Sequence, residues 1–408
     1  MNTVPSESAI PKEQFPSRKF FSIRSQAQIL GNPAPGAPPP LSFFWARNAI
    51  FYSLEALGIS PDAHVLLPAY LCRAAVEPFE VFGTDVEFYP INRSCEPDLA
   101  ALEAKITPRT QAILVVHYFG FPQRIDRLRA LCDRRRLFLI EDCAHVLQGL
   151  FDGRPLGAFG DASVFSWRKF LPIYDGGELW LRRPSVGLPP RWQKESFPFT
   201  LKVAKSLVDK TLENSTGTFA KSFAWAIEFV KAAVKRLRRE SSDTPLFELD
   251  SNRATFDTSL VNQKMSRVSR WLRMHSDIPS IVARRCENFR FLRDHLQGLP
   301  GVILLHADLP DTVCPWIFPV FLNDVPFAHL RLQNEGVPAV NWGGVRPPAV
   351  DSASFADADF LYDNLVFLPV HQDLSRNNLE AIVRAVQKVA ASVARPLEPE
   401  LSKLSGIA

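Results

Sequence analysis

From about Phe43 onward, apolar and polar positions fall into alternating short blocks of two different periods. ARNAIFYSLEALG carries its apolar residues at helical spacing, and AHVLLP is a short apolar run of the kind that forms a buried strand. CRAAVEPFEVFG again has helical spacing and DVEFYPI reads as the next strand. The same order continues through the strand QAILVVHYFG, the helix IDRLRALCDRRR with Ile125, Leu128 and Leu131 on one face, and the strand LFLIED. Strand-like DASVFSW and GGELWLRR follow. Strands that alternate with helices and are apolar along their whole length predict an α/β fold built on a mostly parallel sheet covered by helices.

The flanking regions break this pattern. Residues 1–40 show no sustained period and close on the Pro-rich run GNPAPGAPPPL, which suits an extended arm or linker. The alternating region then makes a large domain over 41–255. Within it, about 190–250 carries helical spacing at Phe219, Phe223, Ile227, Val230, Val234 and Leu237 and reads as an inserted helical segment. From 256 to 395 a long helix containing SIVARRCENFRFLRDHL precedes short strands and helices, the pattern of a smaller α+β domain, and 396–408 is a tail.

Composition narrows the function classes. Hydrophobic residues at 46% and charged residues at 22% are those of an ordinary folded protein, which excludes a disordered or fibrous chain. A net charge of +4 over 408 residues is too small to indicate a nucleic-acid binder. The charge is local instead: residues 191–240 hold eleven Lys or Arg against five Asp or Glu. That cluster is either a surface for anionic lipid or a phosphate-bearing substrate, or the solvated side of a helical hairpin. Six dispersed cysteines without a C-x-x-C pair fit neither a zinc site nor a disulfide framework, so no metal is expected. The start MNTVPSESAIPKEQFP lacks a signal-peptide core, and no run reaches about 18 apolar residues. The expected location is cytoplasmic, with peripheral contact at the inner face of a membrane through the basic insertion as an extension.

Candidate chemistry concentrates in LFLIEDCAH and GDASVFSWRKFLPIYDGG. Asp142 falls where an apolar strand ends, and the carboxyl ends of parallel strands open onto the ligand crevice of such sheets. Lys169 follows the next strand-like run, after Ser166. Lysine and carboxylate at neighbouring strand ends are either a plain ion pair or the two anchors of pyridoxal 5'-phosphate (PLP): an amine for a Schiff base and a carboxylate for the ring nitrogen. Weaker candidates are Tyr70 after LLPA, for stacking on a cofactor ring, His117 in VVHYFG, for the crevice, and Arg346 in NWGGVRPP, for a substrate carboxylate. Core packing, a buried histidine with a backbone partner and an ordinary loop arginine are the respective alternatives.

These blocks, in this order, resemble the DegT/DnrJ/StrS family of PLP-dependent sugar aminotransferases from about Phe44 to Val389, apart from the basic insertion. ITPRTQAILVVHYFGFPQRID resembles the family's ITPRTKAI…VHxxGxPxxxD, LFLIEDCAH its (I/V)EDxAQ, and GRPLGAFGDASVFSWRK its GxxxGxFGDxxxFSF…K. NQKMS resembles NYRMS, and VFLPVHQDLSRNNLEAIVRAV resembles LPxHxxLxxxxxxxVxxxL. The resemblance implies a fold-type-I PLP-transferase with a seven-stranded, mostly parallel sheet and a smaller C-terminal α+β domain. It makes Lys169 the Schiff-base lysine, Asp142 the partner of the ring nitrogen, Ser166 a phosphate ligand, and Asn262 a phosphate ligand reaching across a homodimer. The implied reaction moves an amino group, from glutamate, to a keto group of a nucleotide-activated sugar in polysaccharide or secondary-metabolite biosynthesis.

Three departures from the family pattern stand out. Lys169 lies three residues after Ser166 rather than the usual five. The family's Gly-Thr at the start of the first helix is Ala46-Arg47, which leaves backbone amides, the helix dipole and Arg47 for the phosphate. The usual glutamine after the aspartate is His145, a group that can titrate near neutrality. A sugar dehydratase of the same family is a rival reading, disfavoured because such relatives replace the lysine with histidine. A non-catalytic regulatory or membrane-docking protein on the same fold is the second.

Overall fold

A computed structural model describes residues 38–182, 191–193 and 256–394. Nearly all of the N-terminal arm, most of the basic insertion with its expected helix at 219–237, and the tail lie outside the described residues.

Strand β1 (Leu41–Phe43) leads into helix α1 (Ala46–Leu57), then β2 (His64–Pro68), α2 (Arg73–Phe82), β3 (Asp85–Tyr89), α3 (Leu99–Ala104) and β4 (Thr110–Val116). Helix α4 (Ile125–Arg135) and β5 (Phe138–Cys143) follow, then a small hairpin of β6 (Leu150–Phe151) and β7 (Arg154–Pro155), then β8 (Ala162–Ser166) and β9 (Gly177–Leu181). Seven of these strands form one sheet in the order β1-β9-β8-β5-β4-β2-β3. The pairs β2–β3, β2–β4, β4–β5 and β5–β8 are parallel, whereas β9 and β1 close the edge antiparallel. The strand order steps outward in both directions from the chain's first βαβ units, and so a crevice opens at the carboxyl ends of the central strands.

The remaining chain adds α5 (Arg267–His275), the 19-residue α6 (Ile278–Leu296), β10 (Val302–Leu304), β11 (Ile317–Leu322), α7 (Ala328–Asn334), α8 (Ala356–Asn364), β12 (Leu365–Pro369) and α9 (Arg376–Ala390). Strands β10, β11 and β12 form a separate antiparallel sheet. Helix α9 opens with a capping box of Ser375 and Asn378, which satisfies two end amides that would otherwise lack partners. Its Leu379, Ile382, Val383 and Val386 are buried, an apolar stripe of the helical period.

The sheet core follows the sequence pattern. Val65, Leu66 and Leu67 on β2 and Ile113 on β4 are inaccessible to solvent, as expected of parallel strands covered on both faces. Ile125, Leu128 and Leu131 are buried on α4, the face that their spacing defines. Helix α1 ends on Gly58 at φ 72°, whose amide closes back on Glu55 and Leu54.

One glycine decides where α1 begins. A Cβ on Gly177, the first residue of β9, would overlap the carbonyl of Trp45 and the amide of Ala46. The absence of a side chain there lets the start of α1 lie directly on the sheet edge. We expect Gly177→Ala to cost about 1–3 kcal/mol by forcing these backbones apart. A fall in the denaturation midpoint would show it, and an unchanged midpoint would mean that the start of α1 moves without penalty.

Candidate active site

A cavity of about 270 Å³ lies at the carboxyl ends of β5 and β8, near the small end of the range for sites that enclose small molecules. Its walls include Ala46, Arg47, Asp142, His145, Ser166 and Lys169, so six sequence candidates meet in one place. Trp45, Cys72, Arg168, Trp316 and Trp342 complete the argument for its chemistry.

Asp142 is the penultimate residue of β5, in register with Val116 of β4 and Val164 of β8. Its Oδ1 accepts the Ala144 amide at 2.8 Å. Burial raises the carboxyl above its ordinary range, opposed first by the charge of Lys169 and then by the Ala144 amide and His117. Lys169 ends the short 3-10 turn Trp167–Lys169 that follows β8, so two adjacent parallel strands deliver the pair. Burial pushes the Lys169 amine below its ordinary value, Cys72 and Asp142 pull it back, and Arg168 pushes it further down. The ammonium nitrogen sits 4.5 Å from the centre of the Trp316 ring.

His145 is buried and lies flat against Trp316, with ring centres 4.0 Å apart and planes 18° from parallel. Its Nδ1 accepts the Phe119 amide at 3.3 Å, and this leaves the hydrogen of the neutral ring on Nε2. Burial, aided by Lys169, holds its pKa well below the ordinary value. The substitution of histidine for the family's glutamine therefore does not add a neutral-range titration. Ser166 is the last residue of β8, and Ala46 and Arg47 are the first two of α1. Burial lowers the Arg47 pKa against the pull of Glu77, 3.9 Å away.

Four candidates do not face the cavity. Tyr70 is fully buried behind it, packed on Tyr118, Tyr362 and the cavity-wall residue Trp342. His117 donates from Nε2 to Glu141 at 2.9 Å and accepts the Gln123 amide on Nδ1 at 3.1 Å. The reading of His117 as a crevice group is thus replaced by a strut beneath it, since the His117 amide also donates to the Asp142 carbonyl at 3.1 Å. Glu141 takes further amides from Phe159 at 2.8 Å, Gly157 at 3.0 Å and Gly160. Burial acts to raise its pKa, but His117 and these amides outweigh it and leave the carboxyl below its ordinary value. Although Glu141, His117 and Cys143 present ligand atoms within 4.8 Å of one another, the carboxylate is already occupied by these donors. Arg346 is spent on Asp359 and on Asp363 at 2.8 Å, over the face of Tyr362, so it is not a free carboxylate hook. Asn262 lies away from this cavity, its carbonyl accepting the Gln193 amide at 3.0 Å.

Sequence reasoning passed over Trp45, Cys72, Arg168, Trp316 and Trp342. Arg168 sits inside the SWRK stretch, and its basic character beside Lys169 was the available signal. Trp316 and Trp342 arrive from the C-terminal part, in register with no motif. Ser266 of the NQKMS block has a structural role: its hydroxyl donates to Asp175 at 2.9 Å, and Ser269 adds a second hydroxyl.

The donor set fits PLP. An amine and a carboxylate face one cavity, a neutral imidazole N–H is available for a ring hydroxyl, and two guanidinium groups (Arg47, Arg168) line the same cavity as donors for a phosphate dianion. The sheet order and this pair define the chain as a fold-type-I PLP-transferase fold. Residues 44–185 match the DegT/DnrJ/EryC1/StrS aminotransferase family. A UDP-N-acetyl-3-dehydro-alpha-D-glucosamine 3-aminotransferase of Acidithiobacillus ferrooxidans is 35% identical over 121 residues, 29% of this chain and 33% of that protein. The chain spans about a third of the length of the curated relatives it matches first. The structure of Helicobacter pylori PseC, an aminotransferase involved in pseudaminic acid biosynthesis, has the same fold at TM-score 0.63 and 19% identity, covering 90% of each chain. A Streptococcus pneumoniae protein solved in its PLP form shares it at TM-score 0.62 and 17% identity, over 91% of each chain.

The depressed pKa of His145 has a consequence in acid. The unfolded imidazole takes a proton near pH 6.5 that the buried ring refuses, so stability is full above that pH and falls as pH drops below it. His145→Gln should make the decline shallower while leaving stability above pH 7.5 less affected. Urea unfolding between pH 4.5 and 8 measures it; an unaltered acid slope would place the titration elsewhere.

Proposed function

We propose that this chain is a PLP-dependent aminotransferase that takes the amino group of glutamate and gives it to a keto group of a nucleotide-activated sugar. The observation that carries the reading is the delivery of Lys169 and Asp142, by adjacent strands, to one cavity that two guanidinium groups also line. The family match and the sugar-nucleotide substrate in the name of the Acidithiobacillus relative support the substrate class. PLP, when bound, supplies an electron sink for carbon acids next to an amino group.

The chain's own residues then divide the work. Lys169 would hold the cofactor, and its amine, whose pKa burial lowers, would be the group that takes and returns a proton. Asp142 would accept the hydrogen on the ring nitrogen and so keep it protonated. His145 offers its Nε2 hydrogen to the ring hydroxyl, while Trp316 limits how far the imidazole can tilt. Ser166, the amides at the start of α1 and Arg47 receive the phosphate. Retention of a lysine at 169 favours amino transfer over dehydration. Among the described residues no helix is long and apolar enough to cross a membrane, and attachment at the inner membrane face through the basic insertion is not part of this reading.

Borohydride reduction of protein loaded with PLP should place the pyridoxyl group on the Lys169 peptide, and glutamate should abolish the visible absorbance of unreduced protein. Label on another lysine would remove Lys169 from its role. Label on Lys169 without a response to glutamate would leave a cofactor-binding protein that does not use this donor.

The homodimer is part of the proposal, with Asn262 completing the phosphate site of the partner subunit. Lys169→Ala and an inactivating Asn262 substitution, mixed in equal amounts and allowed to exchange, give half mixed dimers, each with one intact site. Activity should recover to about a quarter of wild type by this count. No recovery after demonstrated exchange would place Asn262 within its own site or outside any site.

A further inference from the structure

Replacement of the family's Gly-Thr by Ala46-Arg47 removes a hydroxyl from the start of α1, where the phosphate is expected. The structure supplies a second guanidinium to the same corner. Arg168, on the turn after β8, lines the cavity, and its guanidinium carbon lies 5.8 Å from the centre of the Trp45 ring. The Arg47 guanidinium carbon lies 4.9 Å from the centre of that same ring. Arg47 has Glu77 nearby, but Arg168 makes no salt bridge or hydrogen bond among the described residues. Trp45, the cap of α1, is 5% exposed, and its indole Nε1 has no hydrogen-bond partner although the residue forms part of the wall. Ser166 lines the same cavity.

Two cations converging on one aromatic ring repel each other, and burial removes the water that would screen them. An anion beside them reverses the sign of that interaction. A guanidinium fork also matches a phosphate with two parallel hydrogen bonds, which a hydroxyl cannot do.

We propose that Arg168 is a phosphate-holding residue of the cofactor site, acting with Arg47 at the start of α1, so that this chain recognises the phosphate chiefly through guanidinium charge. The inference rests on the functional reading above and deepens it. With the two-residue shortening between Ser166 and Lys169, Arg168 stands immediately before the lysine, on a turn from which it reaches the Trp45 cap of α1.

The test compares PLP with pyridoxal, which has the same aldehyde and ring but no phosphate. Full-length apoprotein is titrated with each, with the fluorescence of the cavity-wall residues Trp45, Trp316 and Trp342 as readout. Wild type should prefer PLP strongly. Arg168→Ala should weaken PLP by about 10- to 100-fold, the loss expected for a charged hydrogen-bonding partner, and leave pyridoxal unchanged. Arg168→Lys keeps a charge without the fork and should lose less, again for PLP alone; it carries the test if the alanine variant does not fold. Unchanged PLP affinity, or equal loss for both compounds, in variants that still attach PLP at Lys169 would overturn the inference and leave the functional reading standing. Wild-type protein that attaches no PLP at Lys169 would overturn both.

Discussion

The site depends on one electrostatic constraint: a carboxylate and an amine are buried together at the ends of neighbouring strands, where each alone would be costly. Burial pushes both toward their neutral forms, and each holds the other partly charged. Neither is fixed by a direct clamp of its own making. The register of β5 with β8 sets their separation, and so the sheet is the rigid part of the site rather than a scaffold for it.

Around that pair the protein spends other buried polar groups on position. His117 and Glu141 pair with each other at the strand ends, and the His117 amide holds the Asp142 carbonyl. Glu141 in turn gathers the loop amides of Gly157, Phe159 and Gly160 before β8. From the other part of the chain, Arg285 of α6 donates to the Trp316 carbonyl at 2.9 Å and to Gln372 at 3.0 Å, and Gln372 donates to the Phe170 carbonyl at 3.1 Å. The ring that faces Lys169 and the residue that follows Lys169 are thereby held by one chain of hydrogen bonds. Tyr362 makes a comparable tie, its hydroxyl meeting the Leu71 amide at 2.8 Å and the carbonyls of Ala69 and Leu71.

How much of this was legible in the sequence follows from the range of each interaction. The parallel strands, the helices between them, and Asp142 and Lys169 at strand ends are local features, written as period and punctuation within some ten residues. The direction of β9 is not local: nothing in GGELWLRR states that it runs antiparallel to β8. Tyr70, His117 and Arg346 carry the right chemistry at plausible places, yet partners far along the chain claim the latter two. Asp359 and Asp363 are ordinary helix residues until the fold sets them against Arg346. Trp316 and Trp342 show the converse, since an aromatic residue near a strand gives no sign of which cavity it will close.

Those two tryptophans also bear on how the chain is made. The sheet that holds Asp142 and Lys169 is complete at Leu181, whereas Trp316 is synthesised 135 residues later. At ribosomal speed that interval is on the order of ten seconds. Throughout it Lys169 and Asp142 have neither Trp316 nor Trp342 beside them. The strand ends that carry the pair are therefore made well before the cavity can be closed, and the enclosure of the site waits on the C-terminal part of the chain.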